Sequence, residues 1–311
     1  MNKLTKIGLT ALAGSLVAGT VNAAEMSVSG SAGISLTGLD SSEVSGNGFT
    51  MGDSLTFSAS GDVNDIGVTL SYELDGQTAT TDTFDDHSIT LDFGDAGTLV
   101  FAGHGGSSAM SARDDVMPTA YEEPWDIVTG SDAGIINGVT GDNIFNYKYS
   151  HESGLMVQAA YLNSNSTLAE SYNDFAVEYT GVDGLRIGMA IGSSEATAGT
   201  EIDEDTIFAT YAMGGMTVGI QMSEFDTSAA TGDTESTGFG ISYQINDDLT
   251  VSYGSHEIEK TGSDDQESSG IGISYTMGSM SIAGALNKVD NVAHTSTSDL
   301  QSYEATVSFS F

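Results

Sequence analysis

The chain has no cysteine, two prolines, one tryptophan and only seven basic residues among 311. Without cysteine there is neither a disulfide framework nor thiolate chemistry, whatever the redox state of its compartment. Seven Lys and Arg stand against 44 Asp and Glu, for a formal net charge of −37. Nucleic-acid binders need a basic footprint, so that class of partner is excluded. Such a charge could also mark a disordered chain, but disorder goes with a shortage of aromatic and β-branched residues. Here those residues recur at regular intervals. Both prolines (Pro118, Pro124) and the tryptophan (Trp125) fall in one stretch, 104–142.

Long apolar runs are equally scarce. The nearest is in the first 23 residues, MNKLTKIGLTALAGSLVAGTVNA. Lys3 and Lys6 form a positive start, Ile7 to Ala18 the apolar run, and Val21-Asn22-Ala23 a small-residue cleavage site. That is the layout of a secretory signal peptide. The apolar part is shorter than the roughly 20 residues a spanning helix needs. Residues 1–23 are therefore read as a cleaved leader, and 24–311 as one domain.

What remains is alternation. From Met26 to Leu36 the even positions are apolar or small and the odd ones polar or glycine. Period 2 describes a strand with one greasy and one wet face. The same pattern predicts strands near 53–60, 66–74, 87–94, 98–103, 143–150, 155–162, 173–180 and 185–192. It predicts others near 204–213, 216–223, 236–246, 249–257, 268–276, 279–287 and 301–311, bringing the number with the first strand to sixteen. Gaps alternate long and short. Turn residues mark the short ones, such as Gly61-Asp62 and Gly214-Gly215, while 193–203 and 258–268 read as long acidic loops. Tight turns at one end and longer loops at the other are the layout of a transmembrane barrel. Ten of the twelve tyrosines lie on the apolar phase, many near strand ends, where amphipathic rings suit a membrane interface. Phe208 alone breaks phase, an aromatic ring on the wet side of its strand.

The last strand alternates from Tyr303 through Ala305, Val307 and Phe309 to a terminal Phe311. With the leader, sixteen strands and a longest loop after the fifth, the chain resembles the general diffusion porins of Gram-negative outer membranes. The resemblance implies an all-β, 16-stranded antiparallel barrel with its long third loop, 104–142, folded into the bore. It implies a water-filled channel for passive diffusion of small hydrophilic solutes and ions, set in outer-membrane lipid and lipopolysaccharide. It further implies a homotrimer, and a terminal Phe311 recognised by the barrel-assembly machinery.

In that family the third loop places acids opposite a basic wall. Asp114, Asp115, Glu122, Glu123 and Asp126 match the acidic side, with Asp132 further along the loop. Lys148, between Tyr147 and Tyr149, and Arg186, between Leu185 and Ile187, point inward by strand alternation. Arg113 sits within the loop and is expected to pair with Asp114 or Asp115. Basic residues are otherwise sparse, so lumen acids such as Glu73, Asp92, Glu178 and Glu304 predict a preference for cations. No cofactor is expected. Ca²⁺ or Mg²⁺ is a natural guest for the acidic outer loops, although no spaced calcium-loop motif is present. An enzyme is the rival class, but there is no G-x-S-x-G or H-E-x-x-H. A substrate-specific channel or a barrel adhesin is the closer alternative.

Overall fold

The computed structural model describes residues 25–39, 48–76, 85–126, 128, 131, 138–164, 170–197, 199–228 and 232–311. The expected leader and Asp132 lie outside the described residues. Sixteen strands close into one antiparallel barrel. In chain order they are β1 (Glu25–Leu39), β2 (Phe49–Val63), β3 (Ile66–Asp75), β4 (His87–Asp92), β5 (Thr98–His104) and β6 (Ile144–Ser150). Then come β7 (Leu155–Leu162), β8 (Tyr172–Tyr179), β9 (Leu185–Thr197), β10 (Thr200–Met213) and β11 (Met216–Thr227). The last are β12 (Thr234–Asn246), β13 (Leu249–Lys260), β14 (Gln266–Met277), β15 (Met280–Asp290) and β16 (Leu300–Ser310). Each strand pairs with its neighbour in sequence. β1 closes the ring on β16, Ile34 opposite Val307, and Gly30 and Phe311 exchange two backbone hydrogen bonds at the seam.

The period-2 pattern sorts the two faces. Val28, Ile34, Met51, Ile207, Met222, Ile271 and Leu286 are all exposed, as are eight tyrosines including Tyr147, Tyr211 and Tyr303. Between them lie buried polar residues such as Gln158, Glu178, Gln221 and Asn287. A greasy outside and a wet inside suit a barrel in lipid, where closure alone leaves no unpaired backbone.

Three expectations about boundaries fail for physical reasons. The first tight turn is not at Gly61-Asp62, because β2 continues to Val63. The chain reverses at Asn64-Asp65, both left-handed at φ 52° and 65°, as a two-residue hairpin of right twist requires. Most of 193–203 is strand and not loop, with β9 running to Thr197 and β10 starting at Thr200. In 258–268, β13 likewise persists to Lys260 and β14 resumes at Gln266. These outer ends are wet on both faces, with Asp205 opposite Glu224 and Glu224 opposite Glu235. The hydrogen-bond ladder continues there while the hydrophobic alternation that announces a strand is gone.

Candidate functional site

The connection from β5 to β6 folds back against inward-facing side chains. It begins and ends on a two-rung ladder, Gly106 paired with Gly141 and Ser107 with Thr140. Ala109 and Met110 are fully buried in a cluster with Ala176 and Ala190 of β8 and β9. The Met110 N–H donates to Asp174 Oδ2 at 2.6 Å, and Asp174 Oδ1 accepts from the Ala160 N–H.

Arg113 follows, 2% exposed. It does not pair with Asp114 or Asp115. Its Nη2 meets Glu178 Oε1 at 2.7 Å, while Nη1 donates to Ala109 O and to Gln158 Oε1. The side chain turns instead to the wall, where a carboxylate is fixed on β8. Arg186 approaches the same carboxylate from β9, Nε to Glu178 Oε2 at 2.8 Å and Nη2 to Oε1 at 3.1 Å. Glu178, expected to be a lumen charge drawing cations, is thus the shared partner of two guanidiniums, with Asp174 also within electrostatic reach of Arg113. The out-of-phase Phe208 now has a role. It is buried, and the Arg186 guanidinium carbon lies 4.7 Å from its ring centre. Its face holds Arg186 by a cation–π contact of ~0.5–2 kcal/mol. Phe208→Leu keeps the bulk and removes the π face, so it should lower the heat-induced unfolding midpoint of the barrel by a few degrees, read as band shift on unboiled gels.

Beyond Arg113 the segment runs round the wall. The Gln221 amide donates to Arg113 O at 2.6 Å, and Ser252 Oγ accepts the Ala120 N–H at 2.9 Å. Asn287 Nδ2 donates to Glu123 O at 2.8 Å, and the Tyr121 hydroxyl donates to Glu304 Oε1 at 2.8 Å. Trp125 is buried with its ring 4.3 Å from that of His256, and Val128 packs on Val289 and Val292. Returning, the Gly138 N–H donates to Glu204 Oε2.

The loop acids form one group. Asp114, Asp115 and Asp126 are exposed, Glu122 is half-buried and Glu123 is buried. Asp115 and Asp126 each share a hydrogen bond with Glu123, and Asp126 shares one with Glu122. Loss of hydration, reinforced by Asp115, raises Asp114 to about 6. Loss of hydration and the Asp126 contact raise Glu122 to about 7. Glu123, the most enclosed, is driven far above the ordinary carboxylate range by burial and then by Asp126 and Asp115. One oxygen from each of Glu122, Glu123 and Asp126 lies within 4.8 Å of the others, a donor set that a hard divalent cation accepts.

The opposite arc differs. Among the described residues, loop hydrogen bonds reach β6, β7, β8, β10, β11, β13, β15 and β16 and loop atoms pack on β9, β12 and β14, which leaves β1–β4 as the wall across from the loop. Its inward positions are mostly hydroxyls, with Glu73 and Asp92 among them: Ser27 hydrogen-bonds Ser58, Ser31 hydrogen-bonds Ser54, Ser71 lies between Ser58 and Ser88 in the ladder, and Thr56 donates to Glu73. Lys148 is inward and exposed, sharing its rung with Thr98 and Gln158 and lining a 410 Å³ recess with Asp86 and His104. Of the eight candidate residues, the structure gathers the five loop acids. It joins Arg113 to Arg186 through Glu178 and leaves Lys148 apart. Asp174, Gln158, Gln221 and Asn287 escaped the sequence reading, since nothing local marks an inward polar residue as a loop anchor.

A family model described as Gram-negative porin matches residues 8–311. No curated protein matches the chain. Among solved structures, the loop L8 deletion mutant of OmpT from Vibrio cholerae is 15% identical, with a TM-score of 0.72 over 93% of this chain and 100% of its own. The anion-selective porin from Comamonas acidovorans is also 15% identical, at a TM-score of 0.70 over 93% and 100%. In-vitro folded OmpT of Vibrio cholerae in its trimer form is 14% identical, at 0.70 over 93% and 99%. At these identities the likeness is one of fold, while the family match spans nearly the whole chain. The chain belongs to the Gram-negative porins and is an outer-membrane channel for passive diffusion.

Proposed function

We propose that 104–142 is the constriction of this channel and that the pore prefers cations. The observation that carries the proposal is the lopsided charge. Four loop carboxylates that ionise gather on one side beside a protonated Glu123, the remaining wall offers hydroxyls with a few further acids such as Glu73, and both arginines are held against Glu178. Lys148 is an exposed lumen cation, set in a recess with Asp86 and apart from the loop acids. A solute then crosses a field of one sign, which attracts cations and repels anions. The same fold in Comamonas acidovorans is an anion-selective porin, so side chains at the bore, and not the barrel, carry the sign.

Liposome swelling with solutes of matched size tests this. Cationic and neutral solutes should enter faster than anionic ones. Equal rates for all three would overturn the preference. Salt should reduce it, since screening acts over ~8 Å at physiological ionic strength. Acidity should do the same. Protonation removes charge from Asp114 near its pKa of about 6 and from Glu122 near about 7. Both are neutral well below these values and charged above them, so cation preference should rise between pH about 5 and 8. Glu122→Gln should flatten the upper part of that rise.

The reading extends to the assembly. A homotrimer, as in the trimer form of OmpT, is proposed here too; small outward Gly30 and Ala32 on β1 suit close protein contact. Recognition of Phe311 by the barrel-assembly machinery, contact with lipopolysaccharide, and removal of 1–23 on export belong to the same proposal. No catalytic role is assigned, and hydrolysis of a short-chain ester by the pure protein would refute that. A sugar-specific channel would expose aromatic rings along the lumen, whereas Trp125 and Phe208 are buried and Tyr121 is tied to Glu304.

A further inference from the structure

One rung of the barrel wall runs through six consecutive pairings: Arg186 opposite Thr210, Thr210 opposite Gly219, then Gly240, Gly254, Gly270 and Asn287. Its two ends hold the two ends of one loop segment. Arg186 shares Glu178 with Arg113, and Asn287 holds Glu123 O. Six strand spacings of ~4.8 Å make about 29 Å of wall. Ten residues of extended chain reach ~33–36 Å, enough for the segment to follow this rung along the wall.

Between those pins lie four glycines, a poor choice for a sheet, since glycine weakens a strand and fills no space. Gly219, Gly240 and Gly254 are not among the residues with positive φ, so backbone conformation does not demand them. Close approach does. A Cβ on Gly219 would stand 2.6 Å from Pro118 Cδ; one on Gly240, 2.9 Å from the same atom and 3.0 Å from Pro118 O; one on Gly254, 3.0 Å from Pro124 Cγ. Both prolines of the chain therefore rest on bare backbone.

We propose that Gly219, Gly240 and Gly254 set the width of the pore by letting Met117–Pro124 lie flat against the wall. The proposal rests on 104–142 being the constriction. Carbon atoms settle ~3.5–4.0 Å apart, so a methyl at Gly219 must move the loop about 1 Å. The ladder behind it holds the wall, so the displacement is toward the lumen.

Single-channel conductance of the purified full-length protein tests this. Gly219→Ala and Gly240→Ala should each lower it by about 1.5-fold, as expected for an opening a few ångströms in radius. Gly238→Ala meets nothing nearer than Met117 Cγ at 3.4 Å and should conduct as the parent does. Pro118→Ala removes the loop atoms the new methyl meets, Cδ and Cγ, and leaves Thr210 Cγ2 of the wall at 3.0 Å, so Gly219→Ala with Pro118→Ala should recover most of the parental conductance, a coupling that separate local damage would not produce. If Gly219→Ala fails to fold, Gly254→Ala and the double variant carry the same test. Parental conductance in folded Gly219→Ala, or no recovery in the double variant, overturns the proposal. Glu122→Gln separates this failure from that of the constriction reading. If it leaves selectivity unaltered, the constriction reading itself falls; if it shifts selectivity while the alanines do nothing, only the glycine seat is wrong.

Discussion

Glu178→Gln should loosen the loop and weaken cation preference together. Two guanidiniums share this one carboxylate, and Arg113 is almost wholly enclosed. Removing one partner of a buried pair leaves a charge without compensation, at a cost of ~3–5 kcal/mol. The barrel has sixteen strands to hold it, so the loss should fall on the loop, which can relieve it by withdrawing Arg113 from the wall. Arg186 meanwhile gains the freedom to face the lumen with its charge exposed. The expected record is a noisier channel with lower cation selectivity. Gln158→Leu, which removes one uncharged acceptor from Arg113 and leaves its ion pair intact, should have a smaller effect. A quiet Glu178→Gln channel with unaltered selectivity would show that this carboxylate is not the anchor.

Arginines placed on the hydroxyl wall should have a still larger effect on selectivity. Ser31 and Ser71 are suited to this because their ladder neighbours are also serines, Ser54 and Ser310 beside the first and Ser58 and Ser88 beside the second. No directly opposed carboxylate is there to quench the new charge. A unit charge ~8 Å from a solute in water contributes about 0.5 kcal/mol. Two such charges act oppositely on cation and anion, so Ser31→Arg with Ser71→Arg should lower the cation-to-anion permeability ratio roughly three- to fourfold after screening at physiological ionic strength. Ser31→Gln with Ser71→Gln adds comparable bulk without charge and should leave the ratio nearly as it was. Equal ratios for the two double variants would mean that this arc does not face the permeating ion.

The barrel was legible in the sequence because lipid outside and water inside impose alternation on every strand. Even the weakly patterned 98–103 and 216–223 are strands β5 and β11. The signal stops where the two solvents become one. At 193–203 both faces are wet, and the ladder runs on without any hydrophobic mark. Gly61-Asp62 misled in the other way, as a turn-like pair that keeps the in-out phase and stays in the strand. Arg113 shows the limit of local reasoning, since its neighbours in sequence are acids while its partner is 65 residues away. One clue was available. Glu178 and Arg186 flank a short turn with inward parity, so a hairpin register brings them close. Phe208 gave another, since a ring on the wet face needs something to hold. The glycine rung was illegible without register, because position along a strand does not reveal which glycines share a rung.

The zero-current potential across a planar bilayer holding the unmodified protein, under a tenfold KCl gradient at pH about 8, tests the central claim most directly. A lumen with acids on one side and no opposing basic wall predicts a potential of the sign set by potassium, shrinking as the pH is lowered through the range of Asp114 and Glu122. A potential near zero, or one of the sign set by chloride, would contradict it.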